Sequence, residues 1–293
     1  MAFLSHLVSG LSLGSIYAII ALGYTMVYGI AKMLNFAHGD VIMIGGYISF
    51  FAAASYGLHP LAGILLAMIV CTALGVTIER LAYKPLRQAT SLAVLITAIG
   101  VSYFLQNTAR ILWTSSPRVY TSIVGNATFS IFNGGLTISL IALVTMTSCV
   151  VVMIALTWFT GRTKMGKAMR SCSQDKGAAQ LMGINVDYVI SVTFAIGAAL
   201  AAVAGVLLCS MYPTLSPTTG AMPGIKAFTA AVFGGIGSIP GAMLGGLLLG
   251  VIEIFGRAYI STQLSDAIVF TVLIIVLLVR PTGLLGRPIL EKV

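Results

Sequence analysis

Residue types that could carry out chemistry are few in this sequence, and the ionisable ones border apolar stretches. Four such groups are Asp40, Lys226, Glu253 and Asp266, each near the end of an uncharged run. Burying a charge in an apolar medium is costly, so each of them is a candidate for function. For Lys226 and Asp266 we favour a position at an interface, because a long amine or an end-cap carboxylate reaches water there at little cost.

Two segments place polar or small residues at a break in an apolar run. The first is NFAHGD at 35–40, whose side chains either line a polar path or form a turn at a surface. The second is FGGIGSIPG at 233–241, where so many glycines and a proline predict a broken helix. A kinked helix packed closely through small residues is the alternative. The candidate path-lining residues are Asn35, His38, Asp40, Gly234, Gly235, Gly237, Ser238 and Gly241.

Metal binding and enzymatic catalysis are disfavoured by the spacing of the reactive residues. The three histidines, at 6, 38 and 59, share no ligand spacing, and the four cysteines form no CxxC pair. No Ser or Cys has a His and an acid placed by a motif, and acidic or histidine residues do not cluster at i and i+4 in the apolar runs. The sequence also lacks a G-x-x-x-x-G-K-[ST] phosphate loop. We expect no metal and no cofactor on this chain.

The amino-acid composition indicates whether this chain folds in water or in a lipid bilayer. Of 293 residues, 58% are hydrophobic and only 8% are charged, against about a quarter charged in an average soluble domain. A compact fold of this chain would expose mostly apolar surface, which hydrocarbon tolerates and water does not. We therefore predict an all-α, polytopic membrane bundle in which 1–293 form a single transmembrane domain, since the alternating pattern of barrel strands is absent from the sequence.

About eight membrane segments are predicted, because a span needs about 20 predominantly apolar residues. The break near 233–241 makes the seventh discontinuous, and broken backbone at membrane depth has to be satisfied by protein or by a water-filled cavity. The segments are 8–31, 40–58, 61–79, 89–109, 137–159, 188–210, 225–237 with 241–256, and 258–279.

Basic residues predict the orientation of these segments. Positive charge concentrates in cytoplasmic loops, which makes the loops at 110–136 and 212–223 external and places the N-terminus outside. The three basic clusters are Arg80, Lys84 and Arg87; Arg162, Lys164, Lys167, Arg170 and Lys176; and Arg280, Arg287 and Lys292.

The stretch from 160 to 187 is too polar to enter lipid and joins two long spans. Within it, Gly177-Ala178-Ala179 followed by Gly183 resembles the Ala-Ala-x-x-x-Gly core of the cytoplasmic motif of ABC importer permeases, a short helix that docks into a groove on the ATPase. Such a helix needs a smooth face of small residues for close approach and flanking charges for register. At the position ahead of the two alanines where the motif usually has an acidic residue, this sequence has Gly177. The alternative interpretation of the segment is a solvated basic loop. The candidate coupling residues are Arg170, Asp175, Lys176, Gly177, Ala178, Ala179 and Gly183.

Four longer stretches resemble the H-type permease subunit of bacterial high-affinity branched-chain amino acid importers. They are GLSLGSIYAIIALGYTMVYGI at 10–30, NFAHGD at 35–40, GIKAFTAAVFGGIGSIPGAMLGG at 224–246 and PTGLLGRPILEKV at 281–293. The resemblance implies a multi-pass subunit of the bacterial inner membrane that is not an enzyme. It also implies a second permease of related fold, two ATPase subunits that carry ATP and Mg, and a periplasmic binding protein that delivers Leu, Ile or Val.

Other functions remain alternatives from the sequence. An ion-coupled secondary transporter would need a mid-membrane acid, for which Glu253 is the candidate. A channel would need no cytoplasmic docking helix. Related permeases also serve urea, amides or aromatic acids. For an amino acid in transit, Ser238 and Pro240 suit the first turn of a helix whose positive dipole end would attract the carboxylate.

Overall fold

A computed structural model describes residues 2–125, 127–131 and 136–286 and consists mainly of α-helices. The basic residues Arg287 and Lys292, and the stretch 287–293 of the fourth resembling segment, lie outside the described residues. In chain order the helices are α1 (Ala2–Ala31), α2 (His38–Ala54), α3 (Pro60–Ile78), α4 (Ser91–Trp113), α5 (Leu140–Arg162), α6 (Lys164–Gln174), α7 (Lys176–Leu181), α8 (Val186–Met211), α9 (Ala221–Gly234), α10 (Ile239–Tyr259) and α11 (Ser265–Val279).

Six of these helices are long and apolar enough to cross a membrane, and two shorter apolar helices accompany them. The six are α1, α3 with its continuation to Leu86, α4, α5, α8 and α10, and the shorter two are α2 and α11. The predicted all-α membrane bundle is thereby confirmed, and the predicted count of about eight compares with six long helices and two shorter apolar ones. One detail differs, because α10 alone is long enough to span and α9 is a separate, shorter helix.

Helix starts follow the polar residues that the sequence places before each apolar run. Thr90, Ser139 and Asn185 cap α4, α5 and α8, each accepting a hydrogen bond from a backbone N–H in the first turn. Such caps satisfy donors that have no partner inside the helix. The sequence therefore fixes where the spans begin within a few residues.

Helix α1 forms the centre of the bundle and packs against α5, α8, α9 and α10. Its contact with α10 uses glycines on both helices. A Cβ on Gly14 would lie 2.7 Å from the Leu247 carbonyl oxygen, and one on Gly250 would lie 2.2 Å from the Cα of Gly14. Such small-residue faces bring two backbones together, and the resulting dispersion contacts hold helices together in lipid.

The chain breaks twice next to α1. After α1, residues 32–37 double back, so that His38 at the start of α2 packs against Gly23, roughly 12 Å before the end of α1. Between α9 and α10, residues 235–238 form a turn in which Gly235 and Gly237 have φ of 102° and 96°. The two helices then pack antiparallel, with Gly234 against Gly241 and Ala230 against Gly245. The predicted discontinuity near 233–241 is confirmed.

Short strands join the segments at the end of the bundle opposite 160–187. β1 (Arg118–Val119) pairs antiparallel with β4 (Thr214–Leu215), and β2 (Thr128–Ile131) pairs with β3 (Leu136–Ser139). The β1–β4 pair links the two loops that were predicted to be external. These strands lie between the spans and leave the helical architecture unchanged.

Candidate translocation and coupling sites

The 160–187 segment folds into two short helices at one end of the bundle. Thr163 caps α6, with its Oγ1 accepting from the Gly166 N–H at 2.9 Å, and Asp175 caps α7, with its Oδ1 accepting from the Ala178 N–H at 3.0 Å. Asp175 itself is extended, so α7 turns away from α6. The Asp175 carboxylate thus sets the start of the predicted docking helix.

The two alanines of the motif face opposite ways. Ala179 is buried and packs with Met26, Ile30 and Met169, whereas Ala178 is exposed. Gly177 and Gly183 are also exposed, and Gly183 has a φ of 81° that lets the chain leave α7. The predicted smooth face is therefore made of Gly177, Ala178 and Gly183, while Ala179 anchors α7 to the bundle.

The most exposed apolar side chains of this segment follow the two alanines. Leu181 and Met182 have 91% and 83% of their surface exposed. Sequence reasoning did not single them out, although two apolar residues within a polar stretch were a usable signal. They project from the bundle at the end of α7, on a segment too polar to be covered by lipid.

Two basic residues of the segment bind the ends of neighbouring spans. The Lys176 amine donates to the Ala31 carbonyl oxygen at 2.7 Å, at the C-terminal end of α1, and the Arg170 guanidinium donates to the Gly161 carbonyl oxygen at 3.3 Å. Cations favour helix C-termini because the carbonyls there carry partial negative charge. Burial and the charges of Arg87 and Lys32 lower the pKa of the Lys176 amine. Lys176 is thus a link between α7 and α1.

The polar residues of NFAHGD are buried among the helices. Asn35 accepts from the Tyr83 hydroxyl at 2.9 Å, and Asp40 accepts from the Gln106 amide at 2.9 Å. The His38 ring contacts the Tyr24 ring in a tilted arrangement, with centroids 4.6 Å apart, and the buried Nε2 of His38 has no hydrogen-bond partner. Asn35, His38 and Asp40 are close together in sequence, yet each contacts a different helix.

The residues of the second break form a tight backbone contact. Ser238 caps α10, with its Oγ accepting from the Gly241 N–H at 3.2 Å, and Gly234 lies directly against Gly241. The chain after α11 covers this turn, since the Leu284 and Leu285 N–H groups donate to the carbonyl oxygens of Phe233 and Gly234. Gly235 is buried beneath that chain, whereas Gly237 is exposed on the turn beside Gly29 of α1.

The first of the two predicted groups packs against α1 and α9. The rings of Phe36 and Phe228 lie 5.6 Å apart, and Tyr24 contacts both His38 and Phe228. Gly39 at the start of α2 also abuts Gly220 and Gly224 near the start of α9. The first break therefore packs along α9, and the second break lies at the C-terminal end of the same helix.

A buried ionic cluster joins α1, α9, α10 and α11. The Lys226 amine lies 2.7 Å from a Glu253 oxygen and 2.6 Å from an Asp266 oxygen, and Glu253 also accepts from Tyr17 and Arg257. Lys226 is only 4% exposed and Glu253 is fully buried. The expectation that the Lys226 amine reaches water is wrong, because the amine is buried and contacts two carboxylates.

Metal ligation finds no support in the described residues, where no group of three His, Cys, Asp or Glu side chains could hold an ion. Glu253, the candidate for ion coupling, is occupied by three hydrogen-bond donors. The four cysteines are free and buried.

The apolar helices, the two breaks in the chain and the polar extramembrane segment define an integral membrane protein of the permease class. A family model described as branched-chain amino acid transport system, permease component, matches residues 6–277. The chain belongs to this family.

Individual relatives cover nearly the whole chain. The high-affinity branched-chain amino acid transport system permease protein BraD of Pseudomonas aeruginosa is 50% identical over 99% of this chain and 98% of its own. The permease protein LivH of Escherichia coli, of the same transport description, is 48% identical over 99% and 98%. The ribose import permease protein RbsC of Haemophilus influenzae is 27% identical over 82% of this chain and 73% of its own.

Proposed function

We propose that this chain is a transmembrane permease subunit of an ATP-driven importer that moves Leu, Ile and Val across the bacterial inner membrane. A periplasmic protein delivers the amino acid, a second permease of related fold completes the path, and two ATPase subunits bind ATP and Mg. The observation that carries the proposal is α7, an exposed helix anchored to the bundle at one end of the spans. The near full-length identity to BraD and LivH supports the choice of substrate.

The surface around α7 suits insertion into a groove. Gly177, Ala178 and Gly183 provide a smooth side, and Leu181 and Met182 provide apolar contact at its tip. Burial of apolar side chains in a partner's pocket contributes favourably to the affinity of an interface. The opposite side of α7 holds Ala179 and Lys176 against the bundle. A movement of the ATPase would therefore be delivered to α1 through this helix.

The path for the amino acid lies along the two breaks. Asn35, His38 and Asp40 on one side and the 234–241 turn on the other bracket α1 and α9. The start of α10 carries the positive end of a helix dipole, which favours a passing carboxylate. Tight recognition is left to the delivering protein, so the permease needs only weak contacts.

Copurification tests the proposal directly. The chain is expressed with its neighbouring ATPase and permease genes, and the double variant Leu181→Glu with Met182→Glu is compared with Val119→Glu, a substitution at an equally exposed apolar residue of β1. We expect the double variant to lose the ATPase subunits and ATP-dependent uptake, because charged side chains cannot enter an apolar pocket without large desolvation cost. Val119→Glu keeps both.

The opposite results are equally informative. Normal recovery of ATPase and normal uptake in the double variant would contradict a docking role for α7. Uptake by the chain alone, without nucleotide, would indicate a secondary carrier instead. Competition of labelled leucine uptake by isoleucine, valine, urea and ribose identifies the solute, and failure of isoleucine and valine to compete would contradict the proposed substrates.

A further inference from the structure

The segment that follows α3 has an unusual backbone. Residues Glu79–Tyr83 form a π-helix, which continues α3 and passes into a short 3-10 helix at Lys84–Leu86. A π-helix contains an extra residue per turn relative to an α-helix, and such insertions are frequent at functional sites. Both end residues, Glu79 and Tyr83, are fully buried, and each makes a polar contact with a different part of the chain.

Glu79 connects the π-helix to the base of α8. Its carboxylate accepts from the Ser191 hydroxyl at 2.6 Å and from the Arg87 guanidinium. Arg87 also pairs with Asp187, the second residue of α8, and Lys84 lies 2.9 Å from the same carboxylate. Since α8 directly follows the 160–187 segment, Asp187 is the point at which that segment enters the bundle.

Tyr83 connects the same π-helix to the first break in the chain. Its hydroxyl donates to Asn35 Oδ1 at 2.9 Å, and its ring lies 5.3 Å from that of Phe194 on α8. Asn35 lies in the connection between α1 and α2, three residues before His38. The five-residue π-helix thus has the base of α8 on one side and the proposed path on the other.

We infer that the π-helix Glu79–Tyr83 transmits movement of the coupling segment to the α1–α2 connection, with Glu79 and Tyr83 as positioning residues. This inference rests on the proposed function. A displacement of Asp187 acts on Arg87 through their half-exposed ion pair, and Arg87 acts on Glu79, because separating the guanidinium from the fully buried Glu79 carboxylate is costly. The π-helix changes its register or its tilt, and Tyr83 moves Asn35.

If these contacts only stabilised the fold, their loss would give a different result from the loss of a transmitting element. Loss of a stabilising contact lowers the amount of folded complex, so uptake and ATP hydrolysis fall together. Loss of transmission leaves the complex intact, and ATP is hydrolysed with less solute moved. Uptake per ATP hydrolysed, measured on the assembled complex in proteoliposomes, distinguishes these two roles.

The first test uses Tyr83→Phe, which removes only the hydroxyl, in the complex with its ATPases, second permease and binding protein. The matched control is Tyr47→Phe, since Tyr47 is also fully buried but its hydroxyl has no partner. Loss of one buried hydrogen bond corresponds to about a fivefold change in an equilibrium. We expect uptake per ATP to fall about fivefold in Tyr83→Phe, with basal ATP hydrolysis unchanged, and to stay normal in Tyr47→Phe.

Two further variants make the test robust. Combining Tyr83→Phe with Asn35→Ala is expected to lower uptake per ATP no further than Asn35→Ala alone does, because the Tyr83 hydroxyl has already lost its partner in Asn35→Ala. Asp187→Asn changes a half-exposed residue at the far end of the chain of contacts, so the complex stays folded, and uptake per ATP is expected to fall in the same direction.

The outcomes separate this inference from the proposed function. Normal uptake per ATP in both Tyr83→Phe and Asp187→Asn overturns the transmission role, even when the wild-type complex transports with ATP. Parallel loss of folded complex and uptake, with uptake per ATP unchanged, also overturns the transmission role and indicates that the contacts only stabilise the fold. A wild-type chain that binds no ATPase overturns the proposed function itself.

Discussion

Lys226 shows how a charged residue is held inside an apolar bundle. Its amine contacts the carboxylates of Glu253 and Asp266, and Arg257 gives Glu253 a second cationic partner. Two cations and two carboxylates make the cluster neutral, and the Tyr17 hydroxyl supplies a further donor to Glu253. Each charge is therefore tolerated because of the others, and removing one leaves an uncompensated charge in a medium of low polarity.

The first prediction concerns this charge balance. Glu253→Gln and Lys226→Met are each expected to lower the free energy of unfolding by about 3 kcal/mol, since breaking a buried pair exposes the remaining charge to the apolar interior. The double variant keeps the cluster neutral, with Arg257 and Asp266 still able to reach water. We expect it to be more stable than either single variant.

Unfolding of the purified protein in detergent, followed as a function of denaturant, measures these differences. A double variant that loses the sum of the two single effects would show that the charges act independently. Equal stability of all three variants with the wild type would show that the cluster contributes nothing to folding.

Single residues were predictable where their surroundings are local in sequence. The cap by Asp175 and the glycine turn at Gly183, just beyond the end of α7, follow from residue types and spacing. The burial of Lys226 did not follow, because its partners come from two later helices whose approach the sequence does not reveal. Which of the two alanines of α7 faces the bundle could not be predicted for the same reason, because Ala178 and Ala179 are identical in type and differ only in the packing around them.

At the scale of elements, the crossing of α1 and α10 is set by glycine. Gly10 and Gly14 of α1 meet Gly246 and Gly250 of α10, with several backbone atoms closer than a Cβ would allow. The two helices approach because neither carries a side chain at the crossing. Packing without gaps between backbones then provides the dispersion energy that the hydrophobic effect cannot supply between helices in lipid.

The second prediction tests this crossing. Gly250→Ala would place a methyl group 2.2 Å from the backbone of Gly14, so we expect a loss of roughly 1–3 kcal/mol in the free energy of unfolding. Gly100→Ala is the control, because Gly100 lies within α4 and nothing lies within 4 Å of its Cβ position. Alanine there stabilises a helix by up to about 1 kcal/mol.

Thermal unfolding of the two variants in the same detergent gives the comparison. Equal melting temperatures for Gly250→Ala and Gly100→Ala would show that α1 and α10 separate without penalty, and would contradict close packing at Gly14.

The spans themselves were predictable because apolar length is a local property, and the turn at 235–238 because glycine and proline concentrate there. The antiparallel packing of α9 on α10 was not, since it depends on contacts such as Ala230 with Gly245. The β1–β4 pair likewise joins Arg118 to Leu215 across most of a hundred residues of chain. Long-range pairing of this kind leaves no local pattern in the sequence.

For the whole molecule, contacts between loops define two ends. Lys176 binds the end of α1, Arg87 pairs with Asp187, and the chain after α11 covers the 235–238 turn, so the described basic clusters share one end. The β1–β4 pair marks the other end. Positive-inside bias assigns the basic end to the cytoplasm.

The third prediction is a test of this orientation by thiol labelling. Because the four native cysteines are buried, an introduced cysteine is the main target for a membrane-impermeant thiol reagent. Leu181→Cys is expected to react only in inverted membrane vesicles, and Val119→Cys only in intact cells with a permeable outer membrane. Both positions are about equally exposed, which makes each the control for the other.

Labelling of each cysteine from the opposite side would show that the protein has the reverse orientation in the membrane. That orientation would place α7 away from any cytoplasmic ATPase. Labelling of Leu181→Cys from both sides would indicate mixed insertion, which the asymmetry of basic residues argues against.

The central place of α1 has a consequence for synthesis of the protein. This helix leaves the ribosome before α10, yet Tyr17 bonds to Glu253, a residue 236 positions later, and the glycine face of α1 stays uncovered until α10 is made. At about 5–20 residues per second, the nascent chain spends roughly 10–50 s with that face uncovered. A chain truncated before α10 would keep this face bare permanently, and cellular quality control would then have a simple mark by which to recognise and degrade it.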